Sequence, residues 1–217
     1  MKWLIILVIF ISGCTSGDYL EESKPVLYNL GVDIPDAFVF DGHMKDYFLG
    51  KVFIEFGTEI NGSSGLKRLP EITYVLPEGT PVISPVNGVI TMVGELYSED
   101  YYISIRTSED SAYLVSLEHV INVKVSSGDV VSAGDVLGEV APYSGGYWFT
   151  EIAVWVGGRT ITKYCPFDFL DESLKLEYAD RINTVVYGWE EFVGYEVYDT
   201  ADWTSPGCFV ESFIEIV

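Results

Sequence analysis

The sequence predicts a mainly β fold, an antiparallel β-sandwich or barrel-like core carrying one C-terminal amphipathic helix. Three observations predict it. Between Ile72 and Val156, short apolar stretches alternate with Gly, Pro, Asn and Asp turns, the punctuation of antiparallel strands. Aromatic residues make up 15% of the chain, with 15 Tyr and five Trp, and these residue types favour strands. Residues 171–193 change period: Leu174, Tyr178, Ile182, Val185, Val186 and Trp189 recur near helical spacing.

The elements follow in order. Residues 25–50, with Pro25, Pro35 and several Gly, read as irregular structure laid over the domain, and Val52 to Phe56 as a strand. Asn61 to Gly65 reads as an exposed loop, and Asn61-Gly62-Ser63 is also a glycosylation sequon. Strands are expected over Pro81–Ser84, Gly88–Gly94, Tyr101–Thr107, Ala112–Leu117, Val120–Val125, Leu137–Ala141 and Trp148–Val156. Asp171 is placed to cap the helix. The last stretch, with Trp203, Pro206, Gly207 and Cys208, reads as a turn followed by a short apolar tail.

The balance of 12 basic and 33 acidic residues gives a formal charge of −21, which repels phosphate backbones and argues against nucleic acid as a partner. The N-terminus holds Lys2, an apolar run from Trp3 to Ile11, then small residues, the layout of a secretory signal. Its ending, Ile11-Ser12-Gly13-Cys14, resembles a lipobox. The expectation is a signal over 1–13, lipid on Cys14 that anchors an exported protein to the membrane at the cell envelope, and a polar tether over 14–24. With Cys14 so used, Cys165 and Cys208 are left as a disulfide pair suited to an exported chain, the alternative being two buried free thiols.

Three segments, in order, carry a family likeness. Pro77-Glu78-Gly79-Thr80-Pro81-Val82-Ile83-Ser84-Pro85-Val86-Asn87-Gly88-Val89-Ile90 resembles the Gly-Thr-Pro-Val strand pair of M23 (LytM-like) peptidases. Val123 to Val140, with Gly128-Asp129-Val130 and Gly134-Asp135-Val136-Leu137-Gly138, resembles their Gly-Asp hairpin. Thr150-Glu151-Ile152 stands where their His-x-His-Phe-Glu-Val strand ends. The resemblance implies a core of the duplicated hybrid-motif kind. The expected organisation is an N-terminal irregular and strand segment over 25–68, an M23-like β domain over 69–160, and a helix and tail over 161–217.

M23 peptidases hold zinc with a His, an Asp and a second His, and place a further His near the metal-bound water, whose pKa the metal lowers. Where the family has its His-x-x-x-Asp segment this chain reads Leu69 to Thr73, its His-x-His aligns with Tyr147-Trp148-Phe149, and its further His aligns with Ser116. The whole chain has two histidines, His43 and His119, too few for the three that the chemistry needs. The resemblance therefore implies a degenerate groove at Leu69, Thr73, Ser116, Tyr147 and Phe149, with no cofactor, no zinc site and no family catalysis. The expected role is binding or scaffolding, toward an envelope peptide, glycan or protein. The alternatives are a surface hydrolase using a polar site at His119 with Glu118 or Glu151, and a structural lipoprotein whose acidic body coats the surface. Ser116 and His119, three apart on a strand, are expected to face opposite sides, which argues against serine-hydrolase chemistry. Tyr143, Tyr147, Trp148 and Phe149, with Gly145 and Gly146, read either as a ligand-gripping wall or as sheet core.

Overall fold

A computed structural model describes residues 24–62, 65–143 and 146–215 of the 217-residue chain. The signal over 1–13, Cys14, the tether up to Ser23, Ser63 of the sequon and Gly145 lie outside the described residues, as does the side chain of His43.

Thirteen strands, one α-helix and four short 3-10 helices make up the regular structure of the described residues. The strands are β1 (Phe53–Ile54), β2 (Glu59–Gly62), β3 (Gly65–Arg68), β4 (Ile72–Leu76), β5 (Pro81–Ile83), β6 (Gly88–Tyr97) and β7 (Asp100–Arg106). They continue with β8 (Tyr113–Ile121), β9 (Val130–Val131), β10 (Val136–Tyr143), β11 (Tyr147–Val156), β12 (Ile161–Tyr164) and β13 (Ser212–Glu215). All but β2 and β3, which form their own hairpin, join one 11-stranded sheet ordered β1-β4-β11-β10-β8-β7-β6-β9. Strand β5 adds to β10, and β12 and β13 extend from β11. Every strand pairing is antiparallel. The sheet branches, since β11 pairs with both β10 and β8, and among the described residues it does not close into a barrel.

Twin turns organise the middle of the sheet. In Ser126-Ser127-Gly128-Asp129 the Ser126 N–H donates to Asp129 Oδ2 at 2.7 Å, and in Ser132-Ala133-Gly134-Asp135 the Ser132 N–H donates to Asp135 Oδ2, also at 2.7 Å. Gly128 and Gly134 both sit in the left-handed region, at φ 95° and 93°, which glycine adopts without a Cβ clash. Each glycine N–H then donates to a backbone carbonyl, Gly128 to Ile90 in β6 and Gly134 to Ser84 just past β5, both at 2.8 Å. The repeated Gly-Asp pattern therefore encodes one device used twice.

One face of the sheet packs into the core. Along β8 the fully buried side chains are Val115, Leu117 and Val120, and along β11 they are Ile152 and Val154. The segment from Lys24 to Gly50 is irregular, as expected, and it belongs to this core: Leu27, Leu30, Val32 and Ile34 have no exposed surface. The helix α1 (Lys175–Val193) buries Tyr178, Ile182, Val185, Val186 and Trp189 on one face, the positions that the periodicity picks out. Trp189 is fully buried, its Nε1–H donates to the Gly50 carbonyl at 2.8 Å, and its ring stacks on Phe192 at 5.6 Å.

Several expectations need correction. The helix begins four residues after Asp171, which instead accepts the Ser173 N–H at 2.9 Å in a preceding turn. Residues 112–117 and 120–125 are not two strands: one strand, β8, runs to Ile121 with a bulge inside it. The C-terminal tail is a sheet strand, since β13 pairs with β12. The free-thiol alternative is excluded because Cys165 and Cys208 are bonded, with their Cα atoms 6.0 Å apart.

Candidate functional site

The functional face is the one turned away from the core. Strand alternation puts Phe149 and Glu151 of β11 on it, and the pairing of β11 with β4 sets them opposite Val75 and Thr73. Strand β8 reaches the same face through its bulge. Leu117 pairs with Ile103 and Val120 with Tyr101, so three steps on β8 match two on β7. His119 absorbs the extra residue by adopting a left-handed φ of 59°. A bulge re-aims a side chain out of strict alternation. His119 therefore shares a face with Glu118 and Ser116, and the expectation that Ser116 and His119 face opposite sides does not hold.

An open groove of about 940 Å³ lies over this region. Leu69, Thr73, Phe149, His119 and Glu151 all line it. Asp100, which no sequence spacing marks, lines it too, placed by the β6–β7 turn through Ser98 and Glu99. A polar chain crosses the groove. Thr73 Oγ1 donates to Glu151 Oε1 at 2.8 Å, Glu151 Oε2 lies 3.7 Å from His119 Nε2, and His119 Nδ1 meets Asp100 Oδ2 at 2.7 Å. The imidazole lies against the Phe149 ring, with centroids 4.0 Å apart and planes tilted by 31°. Tyr143 meets Phe149 edge-on at 5.1 Å, and Tyr47 meets Tyr143 edge-on at 5.5 Å, which continues the aromatic wall.

Burial pushes the Glu151 carboxyl above the usual carboxylate range, and the neighbouring Glu118 adds to this, whereas His119, the Thr73 hydroxyl and Lys163 pull it down. The Tyr47 phenol is likewise pushed up, first by burial and then by Glu151 and Tyr143. Beyond Glu151 the face carries a second charged group. Lys163 Nζ donates to Glu71 Oε1 at 3.1 Å and lies 3.7 Å from Glu215 Oε2. Burial lifts Glu71 to about 8, and Glu151 adds to the rise.

The remaining sequence candidates lie elsewhere. Ser116 and Glu118 line a neighbouring cavity of about 410 Å³, where Ser116 Oγ pairs with Ser104 Oγ at 2.9 Å and accepts the Trp155 Nε1–H at 2.9 Å. Tyr147 and Trp148 line a third cavity of about 500 Å³, with Tyr147 packed edge-on against Tyr47 at 5.2 Å. The groove thus gathers Leu69, Thr73, Phe149, His119 and Glu151, and does not gather Ser116, Glu118 or Tyr147. The aromatic set divides in the same way: Tyr143 and Phe149 form groove wall, whereas Tyr147 and Trp148 do not line the groove.

The side chains present do not fit zinc. Leu69 and Phe149 have no lone pair to offer a metal. The Thr73 hydroxyl is committed to Glu151, and one nitrogen of His119 to Asp100. Among the described residues no three His, Cys, Asp or Glu side chains gather in a way that could hold a metal ion.

Comparison with known proteins points to the family that the sequence motifs resemble. The model of peptidase family M23 matches residues 71–150. No curated protein matches the chain. Solved structures with a similar course include the catalytic domain of the prophage-encoded M23 protein EnpA from Enterococcus faecalis. It is 22% identical, with 50% of this chain and 85% of that one covered and a TM-score of 0.39. The catalytic domain of lysostaphin from Staphylococcus simulans is 22% identical, over 50% of this chain and 80% of that one, with a TM-score of 0.38. A chain of the SpoIIQ–SpoIIIAH pore-forming complex is 12% identical, over 69% and 94%, with a TM-score of 0.46. Residues 71–150 thus match the model of peptidase family M23, the family that the sequence motifs resemble.

Proposed function

We propose that this chain is a lipid-anchored protein of the cell envelope whose M23-like domain is catalytically inactive and binds an envelope peptide, glycan or protein. One observation carries the reading. Of the five positions that match the family's site, Leu69, Thr73 and Phe149 still line one open groove of about 940 Å³, whereas Ser116 and Tyr147 do not. A leucine, an engaged threonine and a phenyl ring cannot activate water through a metal, but with Tyr143 and Tyr47 they make a surface that grips a ligand. The anchor and the envelope location are supported by the sequence around Cys14 alone.

A second reading, a hydrolase working without the family's metal site, is favoured by one geometric fact. Asp100 holds His119 by Nδ1 at 2.7 Å, and the other ring nitrogen points toward Glu151 at 3.7 Å. A histidine oriented by a carboxylate is the arrangement that general-base catalysis uses.

The test uses the full-length protein, purified in detergent, with cell-wall and solubilised envelope material. The binding reading expects retention of envelope material, weakened by Tyr143→Ala, with sub-stoichiometric zinc and no released amino termini. Stoichiometric zinc, with cleavage abolished by His119→Ala, would sink it. Zinc-free cleavage lost in His119→Ala would establish the second reading.

A further inference from the structure

The sequence holds two Asn-Gly pairs, Asn61-Gly62 and Asn87-Gly88, and the fold treats them in opposite ways. In such a pair the glycine, having no side chain, lets its backbone nitrogen approach the asparagine Cγ. At Asn87 the structure prevents this. The side-chain Oδ1 accepts the Ala133 N–H at 2.9 Å. Gly88 is paired with Val131 of β9 on one side, and on the other the Arg106 carbonyl lies 2.5 Å from where a Cβ would stand. Closing a ring there requires β6 to part from its neighbours. Nothing comparable holds Asn61. Strands β2 and β3 pair with each other and with no strand of the main sheet. Asn61 is exposed, and so are all four residues of β3. No described residue hydrogen-bonds its side chain. A two-stranded hairpin outside a sheet has marginal stability of its own, so its end opens locally at small cost.

We infer that Asn61 is a site of spontaneous deamidation and that the sheet protects Asn87 from the same reaction. The Gly62 nitrogen forms a bond to Asn61 Cγ, the Cγ–Nδ2 bond breaks, and the Gly62 N–H proton leaves with Nδ2 as ammonia. Water then opens the resulting five-membered imide at one of its two carbonyls. Opening at Cγ gives an aspartyl residue. Opening at the main-chain carbonyl gives an isoaspartyl residue, whose main chain runs through Cγ and is one methylene longer. Water is the one co-reactant, and NH is exchanged for O overall. The extra methylene falls between the pairs Ile60–Lys67 and Gly62–Gly65, so the isoaspartyl form loses the pairing at the end of the hairpin. Both products place a new carboxylate on a hairpin that leads into the groove. Its base is closed by the Leu69 N–H donating to the Thr58 carbonyl and the Gly57 N–H donating to the Leu69 carbonyl, both at 2.9 Å, and Leu69 lines the groove. The hairpin beside the groove thus changes with the age of the molecule. Asn61 also opens the glycosylation sequon, and a glycan on its Nδ2 is the competing fate.

A time course on the full-length protein in detergent tests this. Fresh protein is held at mildly alkaline pH, sampled, digested at acidic pH and read by peptide mass spectrometry, with an isoaspartyl-specific methyltransferase as the probe. The peptide holding Asn61 should gain the mass of NH exchanged for O and become methylatable. Its rate should be about tenfold or more that of the peptide holding Asn87, whose reaction waits on the opening of a sheet strand. In guanidinium chloride the two rates should converge, because the pairs share their sequence and differ in the fold around them. Gly62→Ala should slow the Asn61 reaction severalfold, since the added Cβ crowds the attacking nitrogen. Equal rates at the two sites in the folded protein overturn the inference. So does an Asn61 that stays intact in the folded protein while denatured protein converts it, and so does an Asn61 isolated with a glycan on Nδ2. An unchanged rate in Gly62→Ala overturns the ring-closing step.

Discussion

The left-handed backbone of His119 makes a prediction whose sign is unusual. Two variants, His119→Ala and His119→Gly, remove the same imidazole. Both lose the 2.7 Å contact with Asp100 and the ring packing on Phe149. A charge-assisted hydrogen bond contributes about 1.5–3 kcal/mol net. Both variants should therefore be less stable than the parent, and this common loss cancels between them. What differs is the backbone. At φ 59° an L-residue carries a steric cost of roughly 1–2 kcal/mol that glycine does not. At an ordinary strand position the order is reversed, glycine being about 0.5–1 kcal/mol worse than alanine. His119→Gly should therefore be about 1 kcal/mol more stable than His119→Ala. Ser116, in the regularly paired part of β8 ahead of the bulge, supplies the control: there Ser116→Ala should be more stable than Ser116→Gly. Urea unfolding midpoints at constant slope measure all four. If His119→Ala equals or exceeds His119→Gly, the bulge does not rest on a left-handed His119 and the account of how it reaches the groove is wrong.

The pH dependence of stability has a defined direction. Glu71 titrates near 8 in the fold and near 4.5 when unfolded, so between those values the native state binds more protons and its stability falls as pH rises. Glu151, also raised by burial, adds to that slope, and Glu71→Gln should flatten it in urea midpoints taken from pH 5 to 8. Replacing both Cys165 and Cys208 with serine opens a cross-link spanning 43 residues. The expected loss is about 4 kcal/mol by chain entropy, read as a lower unfolding midpoint under non-reducing conditions. Trp189→Ala, at a fully buried ring, should cost about 3–5 kcal/mol in the same assay. The triple change Leu69→His, Thr73→Asp and Phe149→His should create zinc binding measurable by metal analysis, because the three positions line one groove. Zinc at the parent level would refute their alignment with the family ligands.

Local regularities made parts of this molecule readable in advance. The helix was legible because Tyr178, Ile182, Val185, Val186 and Trp189 repeat with the helical period and bury together. The twin Gly-Asp turns were legible because each is closed by residues within four positions. Strand β4 has no such signal: all five of its residues are buried, so Ile72 to Leu76 shows no alternation to read. Strands β12 and β13 are four residues each, and their pairing joins segments about 50 positions apart. In the groove, Leu69, Thr73 and Phe149 were reachable through family motifs. His119 was one of two histidines and easily noticed, but its entry depends on a bulge that only the pairing with β7 determines. Asp100 gave no signal at all, since its partner lies 19 residues away on another strand.

The place where the chain joins the body also has a mechanical consequence. Leu27 forms a parallel bridge with Leu170, its N–H donating to the Phe169 carbonyl and its own carbonyl accepting the Asp171 N–H, both at 2.8 Å. Cys165, five residues before Leu170, is bonded to Cys208, which is itself bridged to Phe56 beside β1. A pull on the N-terminal side of the chain therefore loads the Leu27–Leu170 bridge, and the covalent link shares that load with the segment at Phe56. Force–extension traces should show Cys165→Ser with Cys208→Ser yielding at lower load than the parent. The disulfide is then a strain relief for a body pulled from one end.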